Sequence, residues 1–331
     1  MYVRLGIRSL LGALCANGPM KILPGFLLAI HISVAGFGLP KDLCKSTVVG
    51  DLRIEQFQSK IFDRMITVRV WLPPGYNDAS QTTRKYPTLY MLDGQNAFDQ
   101  CTAFKGEQEL QLDETVTRLM AEHKISPMIV VGVDSAHGEG RDYEYEVWKD
   151  PLTDGNQKEP DGKQLPSFFG SELVPFVSAR YRVSDDAAHI GIGGTSVGAF
   201  AALYVALSRP DLFGLVLAES PDLWLGNGQL LRDTTLLLRA PDRVAIGVGA
   251  TEYNFPQSKD YFAPLRLTER DAEAATLKMN QILASNLEQA LIKRPEVQLV
   301  IEPGATHSAV YWSRRIPAAL TFLYGEPGGV H

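Results

Sequence analysis

The chain has 331 residues, 45% of them hydrophobic, and a formal net charge of −6. That is enough apolar material for one large domain with a sizeable core. The acidic balance, with no basic cluster interleaved with aromatics, argues against a nucleic-acid partner, and the main body holds no internal repeat, low-complexity tract or linker.

The first 38 residues differ from the rest. They carry Arg4, Arg8 and Lys21, no acidic side chain, and the apolar stretch "ILPGFLLAIHISVAGFG". From Met20 onward this reads as a positive n-region, an apolar core and small residues before a cut site, with Ser33 and Ala35 or Gly36 and Gly38 in the two small positions. An uncleaved anchor is the alternative, but the stretch is short for a span and contains Pro24 and His31. The expected organisation is a signal peptide over 1–38, with Met20 as a second possible start, and a single catalytic domain over 39–331. Export to the periplasm or the medium follows, with no stable membrane span after cleavage. Cys15 would leave with the signal. Cys44 and Cys101 would remain, either as a disulfide in an oxidising compartment or as two isolated thiols. No Cys/His spacing matches a zinc site.

Two alternating stretches around Phe62-Asp63-Arg64 predict a β-hairpin over 52–72. "YPTLYML" (86–92) and the continuous apolar run "PMIVVGVD" (127–134) predict buried strands, with a helix between them over 106–124. After a loop rich in Gly and charge, a helix is expected over 167–181 despite Pro175. Strands and helices then alternate: a strand over 188–193 and a helix over 197–209, "FGLVLAES" and "GQLLRDTTLLLR", "RVAIGVG" and a helix near 268–293, "VQLVIEP" and a helix near 309–324. Antiparallel strands followed by alternating β and α units specify a three-layer α/β fold with a mostly parallel central sheet. In such sheets ligands sit at the C-terminal ends of the strands, so the loops after strands carry the chemistry.

The loop after the 188–193 strand contains "GGTSVGAF", a G-x-S-x-G pattern centred on Ser196. Gly194 and Gly198 allow strand and helix to approach in a strained elbow that exposes the serine oxygen. The helix start supplies free N–H groups where an oxyanion would form. A serine hydroxyl is a weak nucleophile without a base. Only His307 and the terminal His331 follow Ser196, and His307 lies just past the last predicted strand, which makes it the base. Two carboxylates lie at or just after the ends of the intervening strands, Glu219 and Glu252. Glu252 is favoured because its loop adjoins that of His307; Asp222 and Asp260 read as solvated loop charges. The second oxyanion donor beside the Val197 N–H is expected from "LDGQNAF", at Gln95 or Gly94, with Asn96 an ordinary turn residue.

The segments "YPTLYMLDGQNAFD", "IVVGVDS…GRDYEYEVW", "IGGTSVGAFAALYVALSRPDLFGLVLAESPDLW", "VGATE" and "GATHSAVYWSRRIPAALTFLYG" together resemble the Putative esterase family of α/β-hydrolases. That group includes enterochelin, feruloyl and acetylxylan esterases, S-formylglutathione hydrolase and bacterial mycolyltransferases. The resemblance covers about 52–324. By position it implies Ser196 as nucleophile, His307 as base and Glu252 as acid, matching the reading of the residues alone. Where many members have a second glycine after the elbow, this chain has Ala199.

The resemblance implies a serine carboxylesterase that needs no cofactor or metal and acts on a small-molecule or carbohydrate-linked ester, such as a siderophore lactone, a feruloyl ester or an acyl-sugar. Acyl transfer to an alcohol, as in the mycolyltransferases, and ligand binding without catalysis are the other readings; the signal-like N-terminus weakens a cytosolic thioesterase. Substrate contacts are expected from Arg141, Tyr145 and Trp148 in the loop after the 127–134 strand, with Tyr143 also at the pocket mouth, and from Tyr253. Arg141 either holds an anionic or phenolic substrate or pairs with Glu144. The aromatic stretch 251–265, including Tyr253, is expected to form a rim or lid, or else to cap the core. Trp224 and Trp312 read as core. The oligomeric state is not legible in the sequence.

Overall fold

The computed structural model describes residues 44–106, 108–149, 159–254 and 268–325. The expected signal peptide, Asp260, His331 and most of the expected lid lie outside them. The chain divides into two units at Cys44 and Lys45, and the second contains every element below.

Eight strands form one sheet in the order β1-β2-β4-β3-β5-β6-β7-β8. The first two, β1 (Asp51–Ser59) and β2 (Arg64–Leu72), are the expected hairpin and pair antiparallel, and β2 also pairs antiparallel with β4. Strands β3 (Thr88–Leu92), β4 (Ile129–Val133), β5 (Ile190–Thr195), β6 (Leu215–Glu219), β7 (Arg243–Gly249) and β8 (Glu296–Glu302) run parallel.

The uninterrupted apolar runs are explained by burial on both faces. In β3, Tyr90 and Leu92 join one core with Ile192, Val216 and Phe200, while Leu89 and Met91 join the other with Val130 and Leu217. The second core is covered by α1 (Leu112–Ala121) through Val116 and Leu119, and by the C-terminal helix, numbered α8 here (Ala309–Tyr324), through Ile316 and Leu320. On the first face lie α2 (Glu139–Tyr145), α3 (Leu165–Phe168), α4 (Val174–Ser178), α5 (Val197–Ser208), α6 (Leu225–Asp233) and α7 (Glu269–Glu288). A π-turn at Phe169–Leu173 joins α3 to α4, and Pro175 sits at the start of α4, where its missing N–H is tolerated.

The strand order reverses at the β3–β5 pair: from β3 the chain goes first to β4 on one side, then to β5 on the other. Loops leaving β3 and β5 therefore diverge, and a crevice opens between them at the strands' C-terminal ends. Cys44 and Cys101 are both disulfide-bonded. Among the described residues no helix is long and apolar enough to cross a membrane.

Candidate active site

Ser196 is the residue between β5 and α5, with φ 57° and ψ −129°. A positive φ is strained for a residue with a Cβ and persists only where its surroundings hold it. The neighbours do so: a Cβ on Gly194 would lie 2.4 Å from the backbone of Gly198, so strand and helix touch backbone to backbone. The Ser196 N–H donates to the Glu219 carbonyl at 2.9 Å, which ties the elbow to the adjacent strand end.

His307 follows β8, and its Nε2 lies 2.8 Å from Ser196 Oγ. Its Nδ1 lies 2.7 Å from Glu252 Oε2. An ionised carboxylate only accepts, so Nδ1 carries the proton and the neutral ring turns its lone pair to the serine. The two loops are also joined by the His307 N–H donating to the Glu252 carbonyl at 3.0 Å. Glu252 is buried; Oε1 accepts from Ser220 Oγ at 2.7 Å and from the Gly249 N–H. Burial raises its pKa, but the His307 hydrogen bond and charge, with the Ser220 and Gly249 donors, outweigh that and hold it below the usual glutamate value. Conversely, burial lowers the His307 pKa, yet the Glu252 hydrogen bond and the charges of Asp222 and Glu252 leave it above the usual histidine value.

Glu219 is occupied elsewhere. Its Oε2 accepts from Arg315 Nε at 2.7 Å, and Arg315 also reaches Glu302 at 3.0 Å. Asp222, expected as a solvated charge, is instead buried, 7% exposed, and accepts from Ser196 Oγ at 3.1 Å. The serine proton therefore faces two acceptors, His307 Nε2 and Asp222 Oδ2. Sequence reasoning missed this because Asp222 is polar and follows Ser-Pro; only the folding of the loop after β6 over the elbow encloses it.

Val197 opens α5, so its N–H has no partner within the helix. Gln95 lies in the short 3-10 turn Gly94–Asn96 after β3, beside the elbow: a Cβ on Gly198 would lie 3.0 Å from Asp93 Oδ2. The Gln95 side chain anchors this turn to the end of β4, donating to Ser135 Oγ at 2.9 Å and accepting from the Ser135 N–H at 3.2 Å. Asn96 has the turn role expected of it, accepting from the Phe104 N–H at 2.8 Å.

Arg141 does not pair with Glu144. It makes a two-point contact with Asp93, Nε to Oδ1 at 2.8 Å and Nη2 to Oδ2 at 2.6 Å, while Glu144 pairs with Arg64. The Arg141–Glu144 pairing is thus corrected: the residues sit three apart on α2, and the buried carboxylate of Asp93 lies closer to the guanidinium. Tyr145 is buried and its hydroxyl accepts from the Asp93 N–H at 3.0 Å, so it supports the loop after β3. Trp148 packs edge-on against Phe200 and Tyr204. Tyr253, expected at a rim or as a cap on the core, is buried as a core cap would be, with its hydroxyl 3.0 Å from Thr276 Oγ1 on α7. Residues 255–265 of the expected lid lie outside the described residues.

Two further residues support the site and were given no role there by the sequence. Trp312, read as core, stands edge-on to the His307 ring at 5.0 Å, and its Nε1 donates to Ser220 Oγ at 2.9 Å. Ser220 passes that contact to Glu252, so α8 steadies the carboxylate through one hydroxyl. The only sequence signal was position, one residue beyond the end of β6.

A model of the family described as Putative esterase matches residues 59–323. The chain is 22% identical over 262 residues to the uncharacterised protein YbbA of Bacillus subtilis, covering 78% of this chain and 92% of that one. It is 28% identical over 198 residues to an iron(III) enterobactin esterase of Dickeya dadantii, covering 60% of this chain but 38% of that protein. Among solved structures, the BES protein of Bacillus cereus superposes with a TM-score of 0.60 at 18% identity, covering 85% of this chain and 98% of that one.

Proposed function

The chain belongs to the Putative esterase family and is a carboxylic ester hydrolase; from that premise we propose a serine mechanism run by Ser196, His307 and Glu252. The observation that carries the reading is the unbroken hydrogen-bonded line from Glu252 through His307 to Ser196, ending on a strained elbow serine.

Ser196 Oγ attacks the ester carbonyl carbon while its proton passes to His307 Nε2. Glu252 keeps the imidazole in the tautomer with Nδ1 protonated and stabilises the imidazolium that forms. The carbonyl oxygen, now negative, lies against the N–H groups of Val197 and Gln95. Collapse breaks the bond to the alcohol oxygen, which leaves with the proton from Nε2, and Ser196 holds the acyl group as an ester. Water, deprotonated by His307, then releases the acid by the reverse sequence. Every proton in this cycle travels through His307, so the cycle calls for no cofactor.

The substrates to test first are hydroxy-acid lactones of the siderophore kind, suggested by the likeness to the enterobactin esterase, followed by feruloyl and acyl-sugar esters. Export is part of the proposal: residues 1–38 are a cleaved signal, residues 39–331 form one domain, and disulfide-bonded cysteines suit an oxidising compartment. A fluorophosphonate probe tests the nucleophile directly. One label per chain is expected, on the peptide containing Ser196; a label on another serine, with Ser196 unmodified, would overturn the assignment.

A further inference from the structure

Three carboxylates gather away from the catalytic residues, where the N-terminal segment crosses the start of α1. Glu109 precedes the helix, and Asp113 and Glu114 are in its first turn. One oxygen from each lies within 4.8 Å of the other two. Glu109 and Asp113 are 3% and 0% exposed. Their oxygens Glu109 Oε2 and Asp113 Oδ1, together with Glu114 Oε2, are buried and receive no hydrogen bond from a donor group. Asp113 and Glu114 face each other, and burial with that contact raises the Asp113 carboxyl pKa to about 8.

The remaining oxygens of the two buried residues hold the N-terminal segment. Thr47 Oγ1 donates to Glu109 Oε1, and the Val49 N–H donates to Asp113 Oδ2 at 2.6 Å. The Thr47 N–H donates in turn to Asp99 Oδ1 at 3.2 Å. Beside the carboxylates lies a cavity of about 320 Å³, lined by Glu109, Glu114, Thr47 and the amide side chains of Gln100, Gln108 and Gln111. Among the described residues no lysine or arginine lines it.

Buried carboxylate oxygens without donors are costly, and three close together repel one another. A divalent cation relieves both costs at once. The donors are all oxygen, which excludes a preference for soft metals. Calcium takes six to eight oxygens at about 2.3–2.6 Å in flexible geometry, so ligands on opposite sides of it stand about 5 Å apart. The carboxylates are spaced within that limit, and hydroxyl, amide and water oxygens in the cavity complete the count.

We propose that Glu109, Asp113 and Glu114 form a calcium site that fastens residues 45–49 to the start of α1. Its role is structural, since none of the three touches Ser196, His307 or Glu252. Affinity is expected in the range of extracellular modules and weak sensors, about 10 µM to 1 mM.

The test is calcium titration of the chelator-stripped protein at pH 8, by calorimetry and by thermal unfolding, with Glu109→Gln, Asp113→Asn and the less buried Glu114→Gln alongside. One bound calcium per chain is expected, with a rise in Tm of several degrees at saturation. Each variant that folds should lose the binding while keeping wild-type hydrolysis of a short ester. If Asp113→Asn does not fold, Glu114→Gln still reads the site. Absence of binding heat and of a Tm shift in the wild type would overturn the proposal and leave a proton shared between carboxyls as the neutralising group. A calcium shift of equal size in Glu109→Gln and Glu114→Gln would overturn it too, because the ion would then act elsewhere.

Discussion

At the scale of single residues, the site separates two glutamates that follow successive strands. Glu252 points its carboxylate at His307, whereas Glu219 is held by Arg315. Glu252→Gln should therefore lower kcat about 10²- to 10⁴-fold with little change in fold. Glu219→Gln should lower kcat far less, because Glu219 faces Arg315 and burial already raises its carboxyl pKa to about 7, and any loss should appear in Tm instead. Paired kinetics and thermal melts check both; the reverse pattern would reassign the acid. The pH profile follows from His307, which must be neutral to accept the serine proton. Its pKa is held above the usual value of 6.5, so kcat/KM should fall as pH drops through that raised value. The same shift adds stability that is present below pH 6.5 and is lost as pH rises through the folded value. Asp222→Asn removes one of the charges that raise it, and the acidic limb should move to lower pH; an unmoved limb would mean Asp222 does not act on His307. The serine and histidine were legible because a G-x-S-x-G elbow and a shortage of later histidines leave few choices. Asp222, Ser220 and Trp312 were not, since their roles depend on which loops fold against each other.

At the scale of elements, the elbow depends on a backbone contact between β5 and α5. A methyl at Gly194 would sit 2.4 Å from Gly198 backbone atoms, which cannot yield as a side chain could. Gly194→Ala should therefore cost about 1–3 kcal/mol as overpacking and displace Ser196, lowering kcat as well as Tm. A variant with unchanged Tm and kcat would show that the contact is looser than described. Strands β3 to β7 and helix α5 were legible as apolar runs bounded by turn residues, and helices α7 and α8 by their helical period. The 106–124 helix is shorter than its pattern suggested: it begins at Leu112, after the segment that carries Glu109. Helix α2 was read as loop, because "GEGRDYEY" is polar and glycine-rich. What makes it helical is tertiary: Tyr145 and the Arg141–Asp93 pair dock it on the loop after β3. In α6, Gly226, Asn227 and Gly228 adopt left-handed angles that interrupt the helix, a break that the glycines and asparagine permit and that the periodic leucines conceal.

At the scale of the molecule, the sheet gathers residues far apart in sequence into one crevice. Asp93 and Gln95 follow β3, Ser196 follows β5, Asp222 follows β6, Glu252 follows β7 and His307 follows β8. The fold class was legible because antiparallel strands followed by β–α alternation leave few topologies; the order in which β3 and β4 exchange places was not, and it sets the crevice. The exported form should begin near residue 39 when its N-terminus is sequenced, and the native, unreduced protein should show no reactive thiol. A mature N-terminus at or before Met20 would contradict cleavage, and two reactive thiols would contradict the bonded state of Cys44 and Cys101. The most direct test of the central claim is hydrolysis of a short-chain p-nitrophenyl ester by the protein starting near residue 39, beside folded Ser196→Ala. The account predicts turnover by the first and a loss of at least about 10³-fold in the second. Equal rates in the two proteins would contradict it.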